Sequence, residues 1–209
     1  MISNAETQRK HRGCKTGLIH DSAGRGRVGG RHIICLLALA GFTTLIGFAQ
    51  SRPPTEYQIK AVFLFNFTRF IEWPANWGRE NQPICIGILG EDPFGSTLDN
   101  TIKGKTINGR GLTIKRSREF QDLRGCQILF VSSSEKRDLP KIFERLGNAS
   151  MLTVGETNNF ATSGGMINFV LEDEKVHFEI NVDAAERAGL RVSSQLLKLA
   201  HLVSDKEKR

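Results

Sequence analysis

Ile84-Cys85-Ile86-Gly87-Ile88-Leu89 is a continuous apolar run with no polar residue to mark a wet face. A half-exposed strand alternates apolar and polar positions; an unbroken run this short marks a strand covered on both faces, as in parallel α/β sheets. Further along the chain, Gln127-Ile128-Leu129-Phe130-Val131 reads as a second buried strand and Met151-Leu152-Thr153-Val154-Gly155 as a third short strand. Between them, Asp138 starts a helix that runs to about Leu146, and Asp92-Pro93 reads as the N-cap and first residue of another. Buried strands alternating with helices imply parallel pairing.

Outward from this centre the signals change. Lys105 to Lys115 contains Asn108-Gly109, a hairpin turn signal. Gly164-Gly165 leads into Met166-Ile167-Asn168-Phe169-Val170. A polar turn at Glu172 to Lys175 then leads into the alternating Val176-His177-Phe178-Glu179-Ile180, an antiparallel pair. Asp183 and Glu186 have capping-box spacing, with Gly189 as the stop. From Ser193, Leu196, Leu199, Ala200 and Val203 fall at i, i+3, i+4 and i+7, which predicts one amphipathic helix. The expected fold is α/β: a single-domain sandwich with a mixed, partly parallel central sheet flanked by helices.

Upstream, Thr55 and Gln58 form a capping-box pattern that opens a helix ending at Trp73-Pro74, since Pro74 disfavours helix at the residue before it. Tyr57, Ile59, Ala61, Val62, Phe63, Leu64, Phe65, Phe67, Phe70 and Ile71 cover most of its circumference. Such a helix needs cover on both sides, from its own domain or from a partner. Phe63, Phe67, Phe70, Trp73 and Trp77 are therefore candidate partner or dimer contacts. The two tryptophans could equally close the edge of the core.

The formal net charge of +7 does not indicate nucleic acid. Before Gln50 stand seven basic residues (Arg9, Lys10, Arg12, Lys15, Arg25, Arg27, Arg31) against two acidic ones (Glu6, Asp21); the remaining 22 basic and 20 acidic residues leave +2. The basic excess lies in the leader, residues 1–49. There Arg25, Arg27, Arg31 and His32 precede the uncharged run Ile33 to Ile46, and Gly47-Phe48-Ala49 offers small residues to a signal peptidase. The run is short of the ~20 residues a membrane span needs. Export to the periplasm with cleavage after Ala49 is expected. Residues 1–27 are polar and aperiodic, and a start at Val28 would leave an ordinary signal peptide. Residues 50–54 read as a linker, 55–203 as the domain and 204–209 as a frayed tail.

Beyond the leader two cysteines remain, Cys85 and Cys126. An even pair in an oxidising compartment suggests a disulfide, the alternative being two buried thiols. If the strands they begin are parallel neighbours, both lie at one end of the sheet.

Catalytic signals are sparse. His177 faces outward from a strand and His201 sits near a helix end, neither with a carboxylate or cysteine at metal-ligand spacing, so no metal and no catalytic residue is assigned. Gly104-Lys105-Thr106 lacks the glycine a phosphate loop needs at Asp99, and no cofactor motif is present. Glu91 and Ser132 sit in loops after buried strands, where small ligands often bind in α/β folds, and they are the small-ligand candidates.

Several ordered motifs together resemble the YfiR-like family of periplasmic regulatory proteins. They are Tyr57 to Phe67 running into Phe70-Ile71-Glu72-Trp73-Pro74, then Ile86 to Gly95, Gly104-Lys105 with Gly109-Arg110, and Cys126 to Val131. Leu152 to Gly155, Gly164 to Phe169, Phe178 to Asn181, Ala188-Gly189-Leu190 and Ser194 to Ala200 complete the set. The resemblance spans residues 55–203. It implies a non-enzymatic, disulfide-dependent, dimer-forming protein without a cofactor. Such a protein binds the periplasmic part of a membrane-bound signalling protein, first a diguanylate cyclase, and holds it inactive. An outer-membrane lipoprotein that sequesters the regulator, and histidine-kinase partners, are further implications. Family members with a second cysteine pair have an extra bridge that this chain lacks.

Overall fold

A computed structural model describes residues 54–74 and 82–205. The leader, most of the linker, Trp77 and the end of the tail lie outside the described residues.

Helix α1, Glu56–Phe70, opens on the expected capping box. The Thr55 N–H donates to Gln58 Oε1 at 2.8 Å, and the Gln58 N–H donates to Thr55 Oγ1 at 3.4 Å. The helix ends at Phe70, before Trp73-Pro74. Ile71 and Glu72 form β1, antiparallel to β9 at Arg191–Val192, and the Ser193 N–H donates to the Phe70 carbonyl. Strand pairing thus ends the helix ahead of the proline.

The central sheet follows the apolar runs. Strands β2 (Ile84–Leu89), β5 (Ile128–Val131), β6 (Leu152–Gly155) and β7 (Ile167–Glu172) are successive parallel neighbours. On the other side of β2 lies β4 (Arg110–Ser117), parallel to it and joined to β3 (Thr106–Ile107) through Asn108-Gly109. Both turn residues have positive φ, as a tight hairpin requires. Strand β8 (Lys175–Asn181) returns antiparallel to β7, and β10 (His201–Val203) closes that edge parallel to β8.

Helices cover both faces. One core joins Ile86, Ile88, Phe130, Val154, Phe169, Phe178 and Ile180 to α1 and to α2, Ser96–Ile102. The other joins Leu89, Leu129, Val131 and Phe160 to α3, Leu139–Leu146. This is the expected mixed, partly parallel sandwich.

Three local expectations fail for identifiable reasons. Asp92 does not cap a helix at Pro93: its Oδ1 accepts from the Phe94 N–H and its Oδ2 from Arg116, so α2 begins only after Gly95. Helix α4, Val182–Arg187, is capped by Asn181 rather than Asp183. The fully buried Asn181 accepts from the Ala184 N–H and donates to the Ala161 carbonyl, bonds that Asp183 on the exposed side cannot make. The amphipathic helix from Ser193 stops as α5, Ser194–Leu197, and the chain becomes β10. The free backbone edge of β8 outcompetes the helical pattern there, leaving Leu199 and Leu202 exposed. At the start of the tail, Asp205 accepts from Asn181 at 2.5 Å and from Arg187 at 2.7 Å.

Candidate functional site

Three loops meet at the carboxyl ends of β2, β4 and β5. They hold both small-ligand candidates, but much of their hydrogen-bonding capacity is directed at one another. The Glu91 N–H donates to Ser134 Oγ at 3.1 Å, and Ser134 Oγ donates to Glu135 at 2.9 Å. Ser132 is buried, and its hydroxyl accepts from the Ser134 N–H at 3.4 Å. Gly90 has φ +90°, and a Cβ there would run into Ser134 and Glu135. Arg116 reaches across the same edge to Asp92 (2.6 Å), Asp99 (2.5 Å) and the Gly95 carbonyl (3.2 Å). The structure brings Glu91 and the serine loop together as a closed seam.

Beyond the end of β6 lies a buried charge pair that the sequence reading passed over. Lys60, 4% exposed, projects from α1 and donates to Glu156 Oε2 at 2.8 Å; it also meets Glu56 at 2.5 Å. Its ammonium stands 4.8 Å from the Tyr57 ring centre and 5.8 Å from that of Phe169. Burial disfavours the charge, but the hydrogen bonds to Glu156 and Glu56 outweigh it and hold the Lys60 pKa above its ordinary value. Tyr57 is also raised, by burial first and the Glu156 charge second. A lysine acting as nucleophile or base is activated by a lowered pKa. Lys60 is shifted the other way and serves as a fixed cation pinning α1 to the sheet. The available signal was a lone lysine inside the apolar run Ile59 to Leu64.

The aromatic candidates divide. Phe67 is fully buried, stacked on Phe169 and edge-on to Phe178, so it is core rather than a contact surface. Phe63 is half-buried against the same rings, and Phe70 and Trp73 are half-buried at the rim of that core. Most of α1 is thus covered by its own domain, while Val62 is 46% exposed. Next to Trp73 a cleft is lined by Phe65, Thr68, Ile84, Thr106 and Arg110.

At the opposite end of β2 the cysteines are joined: Cys85 and Cys126 form a disulfide with a Cα–Cα distance of 4.6 Å. Parallel pairing of β2 and β5 puts them side by side. The Gln127 N–H donates to the Cys85 carbonyl at 2.9 Å, and the Cys85 N–H donates to Gln127 Oε1 at 2.6 Å. His201, expected on a helix, instead lies on β10 with its ring centre 6.0 Å from that of His177.

No helix among the described residues is long and apolar enough to cross a membrane. The family model described as YfiR/HmsC-like matches residues 57–201. Among solved structures, the chain is similar to an ABC domain in complex with L-Trp from Streptococcus pneumonia, at 10% identity and a TM-score of 0.48. That match covers 70% of this chain and 60% of the other.

Proposed function

The chain belongs to the YfiR/HmsC-like family, and from that premise we propose that it is an exported regulator. In this reading it binds the periplasmic part of a membrane-bound signalling protein, a diguanylate cyclase first, and restrains it. The family match over residues 57–201 carries the proposal. The family is regulatory rather than catalytic, and the raised pKa of Lys60, the most buried cation among the described residues, agrees with a structural use of that side chain.

The contact region we assign is the half-buried rim of Phe63, Phe70 and Trp73 with the adjoining cleft. Large aromatics at the edge of a cleft are the residue types that anchor protein interfaces. The signal peptide in residues 1–49, cleavage after Ala49, a homodimer and a sequestering outer-membrane lipoprotein belong to the same proposal.

The test is cellular cyclic di-GMP with the gene deleted and restored. A rise on deletion, reversed by the exported form from Gln50 onward, supports cyclase repression. An unchanged level refutes it and directs the search to a histidine kinase, or to a small ligand at the seam of Glu91 and Ser132.

A further inference from the structure

We propose that Glu172, His177 and His201 form a binding site for a zinc-class divalent metal ion, which clamps the C-terminal strand β10 to the sheet. The three residues come from three neighbouring strands. In the antiparallel pair β7–β8, Val170 stands opposite His177 and Glu172 opposite Lys175, so Glu172 and His177 are diagonal neighbours on one face. In the parallel pair β8–β10, His201 is in register with Glu179, which shares the His177 face. Register therefore aligns a carboxylate and two imidazoles across the sheet. One ligand atom from each lies within 4.8 Å of the other two.

The chemistry selects the ion. Two imidazoles with one carboxylate suit zinc and its late first-row neighbours, whereas magnesium and calcium want oxygen ligands. Metal–ligand bonds of about 2.0–2.2 Å place ligands about 3.3 Å apart in a tetrahedral site. Rotation of the side chains closes the remaining gap, because Glu172 and His201 are exposed and His177 is half-buried. The two rings meet nearly edge to face, at 79°. None of the three side chains makes a hydrogen bond or ion pair within the described residues. Three protein ligands leave a fourth position for water. Glu179, on the same face and held by Asn168 at 2.9 Å, is a neighbouring carboxylate able to orient an imidazole.

A bound ion would cross-link β7, β8 and β10, and β10 is a three-residue edge strand. Zinc chloride is titrated into the purified full chain with its disulfide intact, and into H177A, H201A and E172Q, with circular dichroism to verify folding. Affinity at one equivalent should fall at least tenfold in either histidine variant and severalfold in E172Q. Zinc should also slow amide hydrogen exchange at residues 201–203 by tenfold or more in the parent and not in H177A. Because His11, His20 and His32 and the thiols Cys14 and Cys35 lie in the same chain and can hold zinc themselves, the titration is run on the C14S/C35S background and the decisive comparison is the added double variant H177A/H201A. Retention of every equivalent at parental affinity in that variant overturns the site. Unchanged exchange at residues 201–203 in the zinc-loaded parent overturns the clamp.

Discussion

Breaking the Cys85–Cys126 bond should cost this domain a large part of its stability without altering its native contacts. The bridge closes a loop with a sequence separation of 41. In the chain-entropy account a loop of that size removes about 13 cal/mol/K from the unfolded ensemble, or about 4 kcal/mol at 25 °C. Native sheet pairing around the cysteines is made by backbone groups and by Gln127, and these stay when the bond is cut. Urea unfolding is the assay. At a slope of about 2 kcal/mol/M the midpoint falls by roughly 2 M, and the melting temperature drops by about 8–16 °C. Two arms are needed because Cys126 is buried, where a serine hydroxyl would add a desolvation cost of its own. One arm reduces the parent chain, changing only the covalent bond; the other uses C85S/C126S. The reasoning fails if reduction leaves the midpoint in place. It fails equally if the serine pair is destabilised while the reduced parent is not, since the loss would then belong to the side chains.

K60M should cost about 3–5 kcal/mol, because it leaves the Glu156 carboxylate buried without its cation, and E156Q should cost less, because Lys60 keeps Glu56; chemical denaturation of the singles and the double measures it, and additive single losses would show that the two are uncoupled. The same pair sets an alkaline limb. The raised pKa values of Lys60 (ordinarily 10.5) and Tyr57 (ordinarily 10.0) contribute stability that is complete below those values and lost as pH rises through the folded ones. Melting temperatures should therefore fall above pH 10 in the parent and less steeply in K60M. G155A and G165A would each drive a Cβ into the fully buried Phe160 ring, an overpacking cost of about 1–3 kcal/mol that equilibrium unfolding reads directly. W73A should weaken partner binding about thirtyfold, the loss of about 2 kcal/mol expected of an interface anchor; unchanged affinity in a pull-down titration would return Trp73 to the core.

The sequence by itself determined the central strands and the mixed, partly parallel character of the sheet. The short runs at Ile84–Leu89, Ile128–Val131 and Leu152–Gly155, rich in β-branched residues and bounded by turn signals, point to strands covered on both sides, and Asn108-Gly109 specifies its turn through local backbone preference. These signals are local, so they survive without a structure. The disulfide was half legible: the cysteine pair suggests it, and adjacency of β2 and β5 decides it. What only the tertiary structure decided are the pairings between distant segments. Lys60 looked like an isolated polar residue until the fold set Glu156 beside it, 96 positions away. Phe67 matched a contact surface in composition, yet Phe169 and Phe178 close over it. His201 scanned as helix because Leu196, Leu199, Ala200 and Val203 have helical spacing, but the open edge of β8 offered backbone partners that a local pattern cannot register. That pairing put a second imidazole beside His177 and Glu172, a juxtaposition carried by strand register and absent from any stretch of the chain read alone.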